Sequence, residues 1–389
     1  MLTDQLCRFL PEHSLVCYAP KHATLGHLKA TQDLNINVKY GKKPPELILG
    51  GRVKFLTYLN EVYSRAFRIP KLVKSIVRYG QEHQVDRVWC ILQGQTMIRL
   101  AKPVAKQLKV PLFTQIWDDP SWWIRENKID AINAKSILAE FDSAIKASAA
   151  CGTASYAMSS LFEDKYHVKT SPLIASLDEA FCNAPDELAR NTNKGNSHTY
   201  TIGISGQLYA MEEWQALIAA LHEANWQLKG KPVKIRYLGY QLNISSHNPV
   251  HVEYMGYREQ AESISLLSEC DLLYCPYFFA PEYEAIASTS FPSKVTAYLA
   301  AARPILFHGP EYASPATFLA QHQAASFCHN LDKNELLKKI EHVLTSEQTA
   351  KTLVANGNTA LANHLTTTQL RRHFSRFLEL DSEQRKTQV

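Results

Sequence analysis

The chain has 389 residues, 46% of them hydrophobic and 20% charged, with a formal net charge of +5. These are the proportions of an ordinary folded protein of two or three domains, which excludes disordered, collagen-like and low-complexity classes. No apolar run is long enough to span a bilayer, and the first residues show no apolar signal segment. The eight cysteines include no CxxC pair, so neither a zinc site nor a disulfide framework is indicated, and a cytoplasmic protein is expected.

Strand-like and helix-like stretches alternate almost throughout, the pattern of parallel sheets with helices on both faces. Residues 15–18 read as the first strand. The loop after it, APKHATLGHLK, carries His22, His27 and Lys29 around Gly26, where backbone can approach a ligand closely. From Arg52 to Arg78 seven cations stand against one acid, Glu61, with Phe55, Leu56, Leu59, Val62, Phe67, Leu72 and Val73 interleaved. Two readings stand open: helices flanking a sheet with a solvated basic face, or a basic amphipathic segment on an anionic membrane surface through residues 52–78. Nucleic acid is not expected, because no recognised binding motif accompanies the charge.

Residues 87–92, 112–117 and 144–147 read as further strands. Residues 96–108 and 154–166 read as helices, the first with Met97, Leu100, Ala101, Val104 and Leu108 on one side. At the end of the 112–117 strand stands QIWDDPSWW. Asp118 and Asp119 lie beside Trp117, Trp122 and Trp123, and paired carboxylates are costly to desolvate without partners. Tryptophan faces suit sugar rings through apolar contact. Asp119 precedes Pro120 and fits a helix cap with proline at the first helical position. Asp118 is then left to orient or deprotonate a hydroxyl.

Residues 181–198, rich in Asn and turn formers, read as a linker. Beyond it, strands are expected at 200–206, 233–239, 250–256, 270–275 and 305–307. Helices are expected at 211–226, 261–267, 336–344 and 368–380. Residues 270–275 form an apolar run ending at Pro276, as in a parallel strand covered on both faces. Pro292-Ser293-Lys294 opens another helix, with Ser293 as its expected N-cap and Val295, Tyr298, Leu299 and Ala302 at helical spacing. A helix N-terminus beside a lysine, at the carboxyl ends of strands, is a place for an anion. The phosphates of a nucleotide-linked donor are the expected occupant; an ordinary capped helix is the other reading.

The segment SFPSKVTAYLAAARPI resembles the donor-site helix of GT-B glycosyltransferases of the family 4 type, in which a strand ending in cDllyvP is followed by a loop and a PSKxxEYLA helix. Residues 200–206 with Gln207-Leu208 are similar to the strand and loop that open the C-terminal half of those enzymes, and residues 233–239 and 250–256 to the next two strands. The likeness covers about residues 199–357 well and the first half loosely. Two glutamates eight apart, carried by many members, would fall at Ala297 and near Thr289. No basic residue stands in the stretch from Gln207 to Glu213, where an Arg and a Lys usually meet the diphosphate.

The resemblance implies an α/β protein of the GT-B class, two Rossmann-like doubly wound parallel-sheet domains facing across a cleft. Residues 1–180, joined by a C-terminal helix at 366–380, would bind the acceptor, and residues 199–365 the nucleotide sugar. Ser290, Ser293 and Lys294 would hold the diphosphate, Tyr257 and Arg258 would lie by the base, and Gly206 and Gln207 would also bind the donor. Glu282 and Glu284 would take ribose or sugar hydroxyls. Asp118, Asp119 and His27 would carry the chemistry, with His22, Gly26 and Trp122 on the acceptor side. The implied activity is transfer of a sugar from a nucleotide-diphosphate sugar to a glycan or lipid-linked acceptor in bacterial surface polysaccharide synthesis. It would be retaining, with no metal and no cofactor beyond the co-substrate, in the cytoplasm or peripheral on the inner face of the membrane. A nucleotide-sugar 2-epimerase of the same fold and a non-catalytic nucleotide-sugar-binding protein are the alternatives.

Overall fold

The computed structural model describes residues 2–21, 36–46, 54–183, 198–239 and 249–380. The chain forms two compact units, Met1–Ile174 with Arg371–Val389, and Ala175–Leu370.

In the first unit β1 (Val16–Lys21) and β2 (Asn37–Lys42) pair in parallel. A second parallel sheet runs in the order β3 (Val88–Ile91), β4 (Leu112–Gln115), β5 (Ala150–Thr153), β6 (Thr170–Pro172). Its helices are α1 (Lys54–Tyr63), α2 (Ile69–Glu82), α3 (Gly94–Leu108), α4 (Pro120–Glu126), α5 (Ala131–Lys146) and α6 (Tyr156–Tyr166). A π-helical turn, Ser64–Arg68, joins α1 to α2. Every residue of β4 and β5 is buried, as expected of parallel strands covered on both faces. One core joins Ile98 and Ala101 of α3 to Ile137, Phe141, Ala144 and Ile145 of α5 and Phe162 of α6. A second packs Leu72, Val73 and Val77 of α2 on Leu100 and Val104 of α3. The expected strand at 144–147 is instead the end of α5 and the residue after it. Ile137, Phe141, Ala144 and Ile145 recur at helical spacing, and Asp130 caps the helix by accepting from the N–H groups of Ile132 and Asn133. The strand follows at Ala150–Thr153, where the sequence ACGT offers almost no β-branched signal.

The second unit is one sheet in which β7 (Tyr200–Ser205), β9 (Lys231–Leu238), β10 (Val252–Tyr254), β11 (Leu272–Pro276), β12 (Ile305–His308) and β13 (Ser326–Cys328) lie in the order β10-β9-β7-β11-β12-β13. All these neighbours pair in parallel; β8 (Gln227–Leu228) adds an antiparallel pair on β9. Counted along the chain without β8, that order is 3-2-1-4-5-6, the doubly wound arrangement of nucleotide-binding folds. Its helices include α7 (Met211–Glu223), α8 (Gln260–Ser268), α9 (Glu284–Thr289), α10 (Ser293–Ala300), α11 (Lys333–Thr345) and α12 (Glu347–His364), with a further helix at Ser314–Gln321. The strand order reverses between β7 and β11, so ligands are expected at the carboxyl ends of these two strands.

Residues 175–183 pack with the second unit. Leu177 bridges to Thr366, its N–H donating to Leu365 O at 3.0 Å and its carbonyl accepting from Thr367 N at 2.7 Å. Asn183 donates to Ala300 O at 3.0 Å. The last helix, α13 (Thr367–Phe377), starts in the second unit and ends in the first. There Phe374 and Phe377 are fully buried, Phe377 edge-on to Phe113 with ring centroids 5.7 Å apart.

His308, at the end of β12, is fully buried. Its Nε2 donates to Asn330 O at 2.7 Å, and its Nδ1 lies 2.5 Å from the Tyr274 hydroxyl, which also reaches Glu213 O at 2.9 Å. Burial holds this imidazole neutral, its pKa lowered from 6.5 to about 4. Between those values only the unfolded chain takes the proton, so stability is complete above pH 6.5 and is lost as pH falls toward 4. The loss should reach about 3 kcal/mol, at ~1.36 kcal/mol per pKa unit. Urea unfolding of the wild type and of His308→Gln at several pH values checks this, because the variant should lack that part of the slope.

Candidate functional site

At the carboxyl ends of β7 and β11 the backbone is tied by one tyrosine of α10. The Tyr298 hydroxyl accepts from Ser205 N at 2.8 Å and donates to Tyr274 O at 3.1 Å. Gly206 follows β7 with φ +87°, in the left-handed region, and its α-carbon faces open space. Its carbonyl accepts from the Tyr237 hydroxyl at 2.7 Å and its N–H donates to Leu238 O at 2.8 Å. Gly239 after β9 donates to Gly256 O at 3.1 Å after β10. A Cβ on Gly239 would lie 2.5 Å from Gly206 O, so the turns after β7 and β9 meet backbone to backbone. Gly206 and Gln207 are exposed at this edge.

Lys294 is the second residue of α10 and is buried. Its ammonium donates to Pro276 O, the last residue of β11, at 3.3 Å and sits 4.5 Å from the centroid of the Tyr209 ring. Burial pulls Lys294 below the usual lysine range, while the Cys275 thiol and the Glu213 carboxylate pull it back up. Glu213, in the first turn of α7, is buried too, and its Oε1 accepts from Phe279 N at 2.7 Å. Burial pushes this carboxyl up, and the N–H groups of Glu213 and Phe279 oppose the rise. The Tyr209 hydroxyl is buried with no hydrogen-bond partner among the described residues. Lys294, Glu213 and Tyr209 thus join the loops after β7 and β11 through one buried cation.

Ser293 is exposed and is not the N-cap: Pro292 holds that position in an extended conformation, and Ser293 is the first helical residue. A proline supplies no hydroxyl or carboxylate, so the first N–H groups of α10 receive no side-chain cap. Ser290 ends α9, with its N–H donating to Ile286 O at 2.8 Å. Arg258 donates from Nε to Glu262 at 3.0 Å and from Nη1 to the carbonyl of the exposed Tyr257 at 3.0 Å. Glu282 and Glu284 are exposed, on the turn before α9 and at its start; between them Tyr283 stacks on Phe278, with centroids 4.7 Å apart.

In the first unit Asp119 caps α4, its Oδ1 accepting from Ser121 N at 2.8 Å, with Pro120 at the first helical position. Asp118 is half-buried and adjoins the exposed Trp117. Trp122 Nε1 is buried with no partner among the described residues. His22, Gly26 and His27 lie outside the described residues. Near the start of α3 Glu46 Oε1 accepts from Thr96 N at 3.3 Å and Oγ1 at 2.5 Å, and Lys43 pairs with its other oxygen at 2.9 Å. A carboxylate of this chain therefore occupies that helix start. Glu46 and Glu213 were not singled out in the sequence. Glu213 had a signal, since 213, 217 and 220 share one face of α7 with Leu217 and Ala220 buried. Glu46 had none, being fifty residues from its partner.

Among the described residues no group of three or more His, Cys, Asp or Glu is placed to hold a metal ion. No described helix is long and apolar enough to cross a membrane.

No family model and no curated protein matches the chain. Solved structures do. Anabaena HepE in complex with UDP-glucose is 15% identical, with a TM-score of 0.57 over 94% of this chain and 99% of that one. A glycosyltransferase from Rickettsia africae is 12% identical, with a TM-score of 0.60 over 97% and 94%. Sucrose-phosphate synthase from Thermosynechococcus elongatus is 9% identical, with a TM-score of 0.59 over 94% and 88%. The chain has the GT-B fold of these structures, with two Rossmann-like parallel-sheet units.

Proposed function

We propose that the protein is a glycosyltransferase that moves a sugar from a nucleotide-diphosphate sugar to a glycan or lipid-linked acceptor. The observation that carries this reading is the switch point of the second sheet, where Gly206, Gly239 and Gly256 meet after β7, β9 and β10, and Lys294 at the uncapped start of α10 reaches the end of β11. Backbone that approaches closely, free N–H groups and a buried cation together suit a diphosphate. Structural relatives bind UDP and UDP-glucose at this fold. In this reading Gly206, Gln207, Ser290 and Ser293 meet the diphosphate while Lys294 fixes their loops and supplies its charge from below. Tyr257 and Arg258 border the base, and Glu282 and Glu284 the ribose or sugar. Asp118 orients the attacking hydroxyl, with Trp122, His22, Gly26 and His27 on the acceptor side. Transfer is retaining and metal-independent, in the cytoplasm, and serves bacterial surface polysaccharide synthesis.

A melting screen with nucleosides, nucleoside diphosphates and nucleotide sugars tests the donor half. A matching diphosphate at 100 times its Kd should stabilise the fold by about 2.7 kcal/mol. No shift with any nucleoside diphosphate sinks the proposal. Turnover of the nucleotide sugar to its epimer without an acceptor would replace transfer by epimerisation.

A further inference from the structure

The basic segment divides into two unlike halves. In α2, Ile69, Leu72, Val73 and Val77 are buried, as a helix flanking a sheet requires. In α1 and the π-helical turn the apolar side chains face solvent: Phe55 is 65% exposed, Leu56 53%, Leu59 45%, Val62 45%, Tyr63 51% and Phe67 63%. Single exposed apolar residues need no explanation, but seven large ones within thirteen positions, these six and Tyr58, form a patch of the kind that marks an interaction surface.

Cations border the patch. Lys71 and Lys74 are exposed on α2 at helical spacing, and Arg68 lies 4.8 Å from the Tyr63 ring centroid. Beside them opens a groove of about 700 Å³ lined by Val62, Arg65, Ile69, Lys74, Arg99 and Lys102, with Glu140 as its acid. Arg65 reaches Glu140 at 2.7 Å, and the buried Arg99 pairs with Glu61 and, at 2.8 Å, with Glu140. One nitrogen of Arg99, Nη2, is buried without a partner among the described residues. Four lining cations against Glu140 and the Glu61 that pairs with Arg99 leave the groove positive.

We propose that this face docks on an anionic lipid bilayer. Phe55, Leu56, Leu59, Val62 and Phe67 enter the boundary between headgroups and acyl chains, and Lys71 and Lys74 meet the lipid phosphates. Charge decides between this occupant and a second copy of the chain. A twofold interface would set the same cations against each other, whereas an anionic surface attracts each of them by about 1 kcal/mol. The inference is independent of the donor site and is tested without nucleotide.

The full chain is sedimented with phosphatidylcholine vesicles with and without phosphatidylglycerol, at low and high salt. Binding should be strong only with phosphatidylglycerol at low salt. Phe55→Ser with Phe67→Ser should weaken it at least tenfold, and Lys71→Gln with Lys74→Gln about 30-fold at low salt. These side chains are exposed, so melting temperatures should stay near wild type. Tryptophan emission of Phe55→Trp should shift to the blue on the same vesicles. The proposal is overturned if the wild type ignores phosphatidylglycerol, or if the Phe variants bind like wild type. It is equally overturned by a solution dimer that Phe67→Ser dissolves.

Discussion

Asp118→Asn is expected to slow sugar transfer by about 10²–10⁴-fold, the range for loss of a positioned proton acceptor, with nucleotide affinity nearly unchanged. The backbone supports this choice. Ile116 N donates to Gly152 O at 2.8 Å, so the β4 ladder runs one residue past the strand and holds Trp117 and Asp118 at its carboxyl edge. Asp119 is committed to Ser121 as the cap of α4. Its replacement by alanine should cost about 0.5–2 kcal/mol of stability and far less rate. Single-turnover rates and melting temperatures of the two variants separate the roles. Wild-type transfer by Asp118→Asn would remove that residue from the chemistry and leave the Asp pair as part of a helix cap.

Lys294→Met should weaken binding of nucleoside diphosphates by about 1.5–3 kcal/mol, roughly 10- to 150-fold, and leave nucleoside binding unchanged. Methionine keeps most of the packing volume and removes the charge. Two consequences follow from the buried surroundings. Pro276 O loses its donor, and Glu213 loses the nearby cation that favours its charged form. The loops after β7 and β11 then keep Tyr298, the bond from Phe279 N to Glu213 and the packing of Tyr209 on Tyr277 and Phe278. A lowered melting temperature should accompany the affinity loss. Calorimetry distinguishes a strut from a ligand, because a variant that melts lower but binds diphosphate like wild type makes Lys294 only a strut.

The second half of the chain was more legible than the first, for physical reasons. Parallel strands buried on both faces are written as short apolar runs, and β11 with β12 flanks a helix that Pro292 opens and Arg303-Pro304 closes. Strand β5 is ACGT, small residues whose burial depends on the helices above and below, so no local signal marks it. The missed cap at α10 has a similar origin. Ser293 has the right chemistry, but Pro292 takes the extended conformation that a cap needs and displaces it by one position. Within the candidate site, Gly206, Lys294 and the Asp pair are the residues that local pattern marks in the sequence. Glu213, Tyr209 and Glu46 matter through long-range packing that spacing along the chain does not encode. The split of the basic segment is of the same kind, since α1 and α2 carry similar residues and only burial tells them apart.

Helix α13 sets an order of events during synthesis. Phe374, Phe377 and Leu378 fill the core of the first unit, and Phe377 approaches both Phe113 and Gly152. The rest of that unit ends at Ile174, about 200 residues earlier. At roughly 5–20 residues per second, the ribosome leaves that socket open for about ten to forty seconds. The half that is made first is therefore the half that is completed last, and during that interval its aromatic lining is available to chaperones or to other nascent chains. A chain cut before Arg371 would lose core of the first unit, although the cut falls after the last residue of the second.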